Sequence, residues 1–409
     1  HMSDVKQPNK MFVAMIITGM LSFGTINTVV KKIMYDTDAK NIDGTFEAYK
    51  KPWWCTLIMF LGEAMCLVVY YIIKASRKGD IKPDDKYIRK DPTSGMGYLR
   101  FCALVTLLST CDLLQTTLTG IGLLWCPASI TQILRGFLIV FVLGSARIFL
   151  KRVPKTFQLF GVSCSLIGLI FVGINAILNA GSMNSNVMNI IGGICLTLFA
   201  QIFSSVQFVF EEKFMKGKYD IPSLYLVGFE GIFGSLLCLL VFLPIMYVIP
   251  GDDHGSYENF INSAYMMFNN PTLLGLQILY FISISFFNFM AMTISKMLSA
   301  THRALIDALR TASVWVVMVI VFYATQNSKP AHGEHPYGEE LNWYSFLEAF
   351  GFICMISGTL IHNNVGQLGM KLMSKLKIHQ GEVEFCKCEK KKVAYQEIDE
   401  PVTNDIEAK

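Results

Sequence analysis

Apolar runs of about 20 residues, the length a helix needs to cross the hydrocarbon core of a bilayer, recur along nearly the whole of this sequence. They lie at 11–31, 53–74, 99–121, 127–148, 157–177, 188–211, 222–247, 272–296, 303–325 and 344–366, with charged or Pro/Gly-containing breaks between them. In lipid each backbone N–H and C=O must find its partner within the protein, so a run of this kind is read as a helix. Soluble domains carry about a quarter of their residues as Asp, Glu, Lys and Arg. Here the share is 16%, against 53% hydrophobic residues, which fits lipid as the solvent. The pattern predicts an all-α integral membrane protein with ten transmembrane helices. His1-Met2 reads as a remnant of expression. The first run lacks a small-residue cleavage site, so it predicts a retained helix and not a signal peptide.

The positive charges are unevenly shared between the two sides. With residues at span ends counted to the adjoining loop, the N-terminal segment, the loops after spans two, four, six and eight, and the C-terminal tail together hold 27 Lys and Arg; the opposite side holds six, and Arg135 and Arg310 lie deep inside spans. Lys and Arg accumulate on the cytosolic side, so both termini are predicted to be cytosolic. A net charge of +4 is too small to point to nucleic acid. Of the 11 cysteines, most lie within apolar runs, where a thiol behaves as a small hydrophobe, and no structural disulfide is predicted. The hydrophilic ends 1–10 and 370–409 are too short to form a further domain and read as largely unstructured, 367–409 forming a basic tail.

The chain also repeats itself. Gln132-Ile-Leu-Arg135-Gly136 in span four reads against Asp307-Ala-Leu-Arg310-Thr311 in span nine, and Phe160-Gly161 with Gly168 reads against Phe350-Gly351 with Gly358. Pro52 with Glu63 has a looser echo in Pro222 with Glu230. An odd number of helices per half turns the second copy upside down, giving two inverted five-helix repeats, 11–177 and 188–366. Many secondary transporters are built this way, with the solute held between the halves near the midplane.

A charged side chain at a helix centre costs at least about 2.5–3.5 kcal/mol on insertion scales, so ionisable residues within spans are predicted to face the interior. Arg135 and Arg310 occupy equivalent places in the repeat. Each either presents its guanidinium to an anionic solute or neutralises an acid such as Asp112 or Asp307, the latter at i,i+3 from Arg310. Gln132, Asn27, Gln115 and Gln207 are further candidates for solute contact, with Gln201 and Asn288 as polar neighbours. Glu63, Asp112, Glu230 and Asp307 are candidates for carrying a proton or balancing charge, the alternative being hydrogen-bonded packing residues. Asp112 and Gln115, three apart, can face one cavity. His302 and Arg303, at the start of span nine, read as interfacial anchors. His332 and His335 read as solvated loop residues. No metal ligand set, cofactor loop or nucleophile–base pair is found, so neither a metal nor a cofactor is predicted, and the chain is not read as an enzyme.

Several stretches together, Pro127-Ala-Ser-Ile-Thr-Gln-Ile-Leu-Arg135-Gly, Val227-Gly-Phe-Glu230-Gly-Ile-Phe-Gly234, Ser299-Ala-Thr-His-Arg303 and Leu309-Arg310-Thr311, resemble the drug/metabolite transporter superfamily. Within it they are most similar to solute carrier family 35, subfamily F, in particular its member six group, related to the chloroquine-resistance-transporter-like proteins. Phe60-Leu-Gly-Glu63 and Glu211-Glu212-Lys213-Phe214 match the same pattern. The resemblance implies ten helices, inverted repeats, cytosolic termini and a central cavity. The chloroquine-resistance-type transporters carry a cysteine-bridged lumenal loop before span eight, whereas 251–271 here has no Cys. The function implied is secondary active transport of a small polar or charged organic solute across an endomembrane by alternating access, with a nucleotide sugar as one candidate and proton coupling as an option. The predicted partners are that solute and the lipid bilayer. A non-transporting scaffold or receptor acting through the basic tail is the alternative. In that tail Cys386 and Cys388 are candidate palmitoylation sites. Tyr395 to Ile398 has the form of a tyrosine-based sorting signal, favouring a lysosomal or endosomal membrane over the Golgi.

Overall fold

The computed structural model describes residues 10–35, 37–77, 93, 96–125, 134–179, 187–216, 219–325, 341, 343, 345–364 and 367–376. Helices dominate: α1 (Lys10–Tyr35), α2 (Pro52–Ser76), α3 (Tyr98–Trp125), α4 (Leu138–Phe149), α5 (Thr156–Asn179), α6 (Val187–Met215) and α7 (Ser223–Leu237). A five-residue π-helical turn, Cys238–Phe242, joins α7 to α8 (Leu243–Val248), and α9 (Phe260–Asn269), α10 (Pro271–Met297), α11 (Ala300–Thr325), α12 (Ser345–His362) and α13 (Leu368–Lys375) follow. Between α1 and α2 lies a hairpin of two short antiparallel strands, β1 (Asp38–Lys40) and β2 (Phe46–Ala48).

Among the described residues nine helical stretches are long and apolar enough to cross a membrane, and no more than 50% of the most apolar window of any of them is buried within the protein. Large apolar side chains such as Val68, Ile72, Leu240 and Ile320 point outward. In water that surface would collapse or aggregate, whereas against lipid tails it costs nothing. The fourth predicted span, 127–148, is described only in part. Leu134 to Gly136 are helical and α4 follows, but 126–133 lie outside the described residues.

Several predicted boundaries shift. Span six runs on to Met215 and span nine begins at Ala300, because hydrogen bonding carries the helix past the last lipid-facing residue. Span ten stops at His362 and not at 366: Asn364 and Gln367 take left-handed φ of 49° and 61°, and the chain turns into α13. The segment 370–409, read as largely unstructured, therefore begins inside a helix, Leu368–Lys375. The π turn has a local cause. Pro244 has no N–H to give the carbonyl four residues back, and the N–H of Leu243 reaches Cys238 O instead. The hairpin is too short and polar for hydropathy to reveal, and α9, though apolar, is too short to read as a span.

Close helix crossings are made at small residues, as suits packing in lipid. α5 and α12 cross antiparallel: Gly161 lies against the backbone of Gly358, and Gly168 against that of Gly351. Where they meet, the Cys164 thiol points to Cys354 O at 3.4 Å and the Ser165 hydroxyl to Met355 O at 3.4 Å. A shift of 190 positions carries each of these residues onto its partner's helix, so the same residues pack from both sides. α2 and α7 cross at Gly231, where a Cβ would stand 2.2 Å from Ala64 N.

One end of the α1–α2 and α7–α10 assembly is clasped by loops. Lys51 Nζ pairs with Asp253 at 2.7 Å, His254 Nδ1 with Asp43 at 2.7 Å, and Asn262 Nδ2 donates to Glu47 at 3.2 Å and Asp253 at 3.0 Å. Glu258 accepts the N–H of Trp53 at 2.9 Å and of Trp54 at 2.8 Å, capping α2 from a loop some two hundred residues away. Burial pushes its carboxyl up to about 7, against those two N–H donors and Lys51, which pull it down.

Two outcomes follow. Gly231→Ala drives a Cβ into the α2 backbone and is expected to cost about 1–3 kcal/mol. Gly275→Ala meets nothing within 4 Å and is expected to be neutral or stabilising; thermal unfolding of the detergent-solubilised protein distinguishes the two. A carboxyl raised in the folded state contributes stability below its unfolded value that is lost as pH rises through the folded one. The melting temperature is therefore expected to fall between pH 4.5 and about 7, and Glu258→Gln to flatten that slope.

Candidate functional site

Ionisable side chains inside the helix assembly gather into two clusters of opposite sign. The first holds Glu63 on α2, Asp112 on α3, Glu211 on α6 and Glu230 on α7, with Arg303 on α11 as their shared cation. All five residues are buried. Arg303 forms an ion pair with Glu211 and lies over the Phe208 ring, its Cζ 3.7 Å from the centroid. Asp112 accepts from Gln115 Nε2 at 2.9 Å, as the i,i+3 spacing predicts, and Gln115 Nε2 also reaches Thr116 at 2.8 Å. The Gln207 amide lies beside both Asp112 and Glu211. Asn288 donates to Glu63 Oε1. The Ser109 hydroxyl donates to the backbone carbonyl of Glu230 at 3.0 Å, tying α3 to α7.

Acceptors outnumber donors here. Among the described residues Glu63 Oε2, Glu211 Oε1, Glu230 Oε1 and Gln207 Oε1 are buried without a hydrogen-bond partner. Most buried polar atoms in folded proteins have one, so each exception calls for an explanation.

The second cluster is basic. Arg310 pairs with Asp307 at 3.3 Å on the same helix face and lies 5.0 Å from the Phe287 ring centroid. Arg135 is half-buried, within electrostatic range of Arg310, Asp307 and Tyr280. Lys31, near the end of α1, is within range of Arg135 and sits 5.7 Å from the Tyr35 ring. Among the described residues no carboxylate pairs with Lys31 or Arg135. The alternatives left open for the two arginines thus divide: Arg310 has its aspartate and Arg135 does not. Asp307 belongs with this cluster and not with the other acids. Asn27 is buried with its Oδ1 unpartnered, and Gln132 lies outside the described residues, as do His332, His335 and the tail motifs.

One prediction is corrected. His302 and Arg303 are not interfacial anchors. Arg303 is the buried counter-ion of Glu211, while His302 meets Ser299 Oγ at 2.5 Å and packs its ring edge-on against His362 at 5.4 Å. Glu211 and Lys31 were not among the site candidates, and Arg303 was placed at the interface, because each lies at the end of an apolar run, where a charge passes for a loop residue. Glu212 is the companion of Glu211. It accepts the Ala300 N–H at 2.7 Å and pairs with Arg152 at 3.0 Å and Lys216 at 3.1 Å, anchoring α6 to the first turn of α11. The ligand atoms of Glu47, Asp253 and His254 in the loop clasp come within 4.8 Å of one another. Lys51 already supplies the positive charge there, so the trio reads as part of the clasp.

Several membrane-length helices with an apolar exterior and charges turned inward define a multi-pass integral membrane protein. No protein-family model matches the chain. It is 30% identical to solute carrier family 35 member F6 of Rattus norvegicus over 85% of its own length and 87% of that protein's, and 29% identical to the human protein of the same name over 85% and 87%. An uncharacterized protein of Schizosaccharomyces pombe is 29% identical over 85% of this chain and 96% of its own. The chain belongs to solute carrier family 35, subfamily F. A solved crystal structure, described only as that of a protein, superposes with a TM-score of 0.50 at 12% identity, covering 90% of this chain and 100% of the other; that likeness concerns the fold alone.

Breaking the Glu211–Arg303 pair from one side strands a charge away from water. Arg303→Ala is expected to cost about 3–5 kcal/mol, read as a lowered melting temperature. The double variant Glu211→Gln, Arg303→Met is expected to recover most of it. A double variant no more stable than Arg303→Ala would show that the pair is not what holds α6 to α11.

Proposed function

We propose that this chain is a secondary active transporter that moves a small polar or charged organic solute across an endomembrane by alternating access. Two oppositely charged clusters, drawn from both halves of the chain and set inside the helix assembly, carry the reading. A merely structural core in lipid has no need of so many ionisable groups. Ten spans arranged as two inverted repeats, 11–177 and 188–366, accord with the α5–α12 crossing, whose contacts map onto themselves under a 190-residue shift. They accord also with the pairing of α1 with α10 and of α6 with α3, which the same exchange interconverts. The Lys/Arg asymmetry supports cytosolic termini, with 1–10 and 367–409 as cytosolic segments. The tail's tyrosine motif favours a lysosomal or endosomal membrane.

In this reading Arg135, which has no carboxylate partner among the described residues, contacts an anionic part of the solute. Arg310, Gln132, Asn27, Gln115 and Gln207 line the path, and Asp307 holds Arg310 in place. Glu63, Asp112 and Glu230 form a group with Glu211 in which four carboxyls surround one guanidinium. The excess negative charge is offset only by cations, protons included, which supports proton coupling. Alternation requires the two halves to rock about the site, and proton binding at the acidic cluster is placed to bias that motion.

Uptake of a labelled solute panel into proteoliposomes, with and without a pH gradient, tests the reading. One solute class is expected to accumulate, faster with the gradient, and Arg135→Ala to lower its uptake at least about tenfold. If no solute moves, or if Arg135→Ala transports as the unmodified protein does, the reading fails.

A further inference from the structure

The two clusters are mismatched in opposite senses. Glu63 and Glu230, 3% and 2% exposed, each keep a carboxyl oxygen buried without a donor. What that end of the site lacks is a group with several N–H bonds. Lys31 and Arg135 are rich in donors, and among the described residues no carboxylate pairs with either. The one acid of that cluster, Asp307, is taken by Arg310, so that end is short of an anion. The ends adjoin along α10, where Asn288 donates to Glu63 and the adjacent Phe287 ring lies 5.0 Å from the Arg310 guanidinium.

We infer that the solute is amphoteric, with an ammonium group received by the carboxyls of Glu63 and Glu230 and an anionic group received by Lys31 and Arg135. This rests on the transporter reading above and narrows it to a substrate class. Bare charges are costly inside a membrane, and a single solute that answers both deficits leaves the occluded interior close to neutral. A purely anionic solute leaves the acidic end unanswered, and a purely cationic one leaves Lys31 and Arg135 facing each other. An ammonium offers three donors to a set of oxygen acceptors. A carboxylate or phosphate accepts two parallel bonds from a guanidinium.

The test uses the purified full-length protein in detergent and a ladder of amphoteric probes of increasing charge separation: glycine, β-alanine, γ-aminobutyrate, 5-aminovalerate and phosphoethanolamine. The N-acetyl derivative of each, which keeps only the anion, and the amides of the carboxylic members, which keep only the cation, serve as partners. At least one parent is expected to raise the melting temperature and bind at least about tenfold more tightly than either derivative. In Glu63→Gln the preference of that parent over its N-acetyl form is expected to collapse towards unity, and in Lys31→Gln its preference over the amide. These ratios are insensitive to a general loss of folded protein.

A singly charged derivative that binds as tightly as its parent overturns the assignment. So does a panel in which no amphoteric probe binds. In either case, uptake of any other solute in the proteoliposome assay leaves the transporter reading standing, and absence of all uptake removes that reading as well.

Discussion

Lipid offers no hydrogen bonds, and most of this molecule follows from that one constraint. Each long helix satisfies its own backbone, turns apolar side chains outward, and must settle any polar group against another helix. Without a hydrophobic drive between helices, close packing is what remains to hold them. Hence α5 meets α12 at Gly161, Gly168, Gly351 and Gly358, and α2 meets α7 at Gly231, places where a side chain would hold the backbones apart.

The same constraint explains where the charges go. Glu211 and Glu212 are adjacent on α6 and both serve the start of α11. One takes the Arg303 guanidinium, and the other takes the Ala300 N–H together with Arg152 and Lys216. Glu258 does comparable work at the other end of the molecule, capping α2 with a carboxylate from a distant loop. Glu212 and Glu258 have donors on both oxygens, and Glu211 has the Arg303 guanidinium on one oxygen. Glu63 and Glu230 each retain an oxygen without a donor. Among the described residues neither of these two has an ion pair, unlike Glu211 with Arg303, and that separates groups that hold helices together from groups free to act on something that enters.

Much of this was legible in the order of residues. Hydropathy located the spans because lipid imposes a length, and the Lys/Arg asymmetry suggested a sidedness. Three-residue spacing anticipated two contacts that the fold then made, Asp112 with Gln115 and Asp307 with Arg310, since neighbours on one helix face need no tertiary information to meet. Repeated glycines at 161, 168, 351 and 358 were visible as a pattern, though not that they would cross antiparallel, Gly161 on Gly358 and Gly168 on Gly351.

Other features were out of reach for definite reasons. Helix ends are decided by hydrogen bonds that outlast the apolar run, so α6 extends to Met215 and α11 begins at Ala300, and Arg303 looked like a surface residue. Whether a charge is paired depends on which helices adjoin it. Arg135 and Arg310 stand in matching sequence contexts, yet only Arg310 has an aspartate on its own face. By itself, then, the sequence determined the solvent, the helices and the contacts within a turn of helix, because each depends on composition or local spacing. The tertiary structure alone decided the sorting of acids and bases into two clusters and the choice of Lys31, Glu211 and Arg303 as their members. Those depend on distances between segments far apart in the chain, which only the packed helices set.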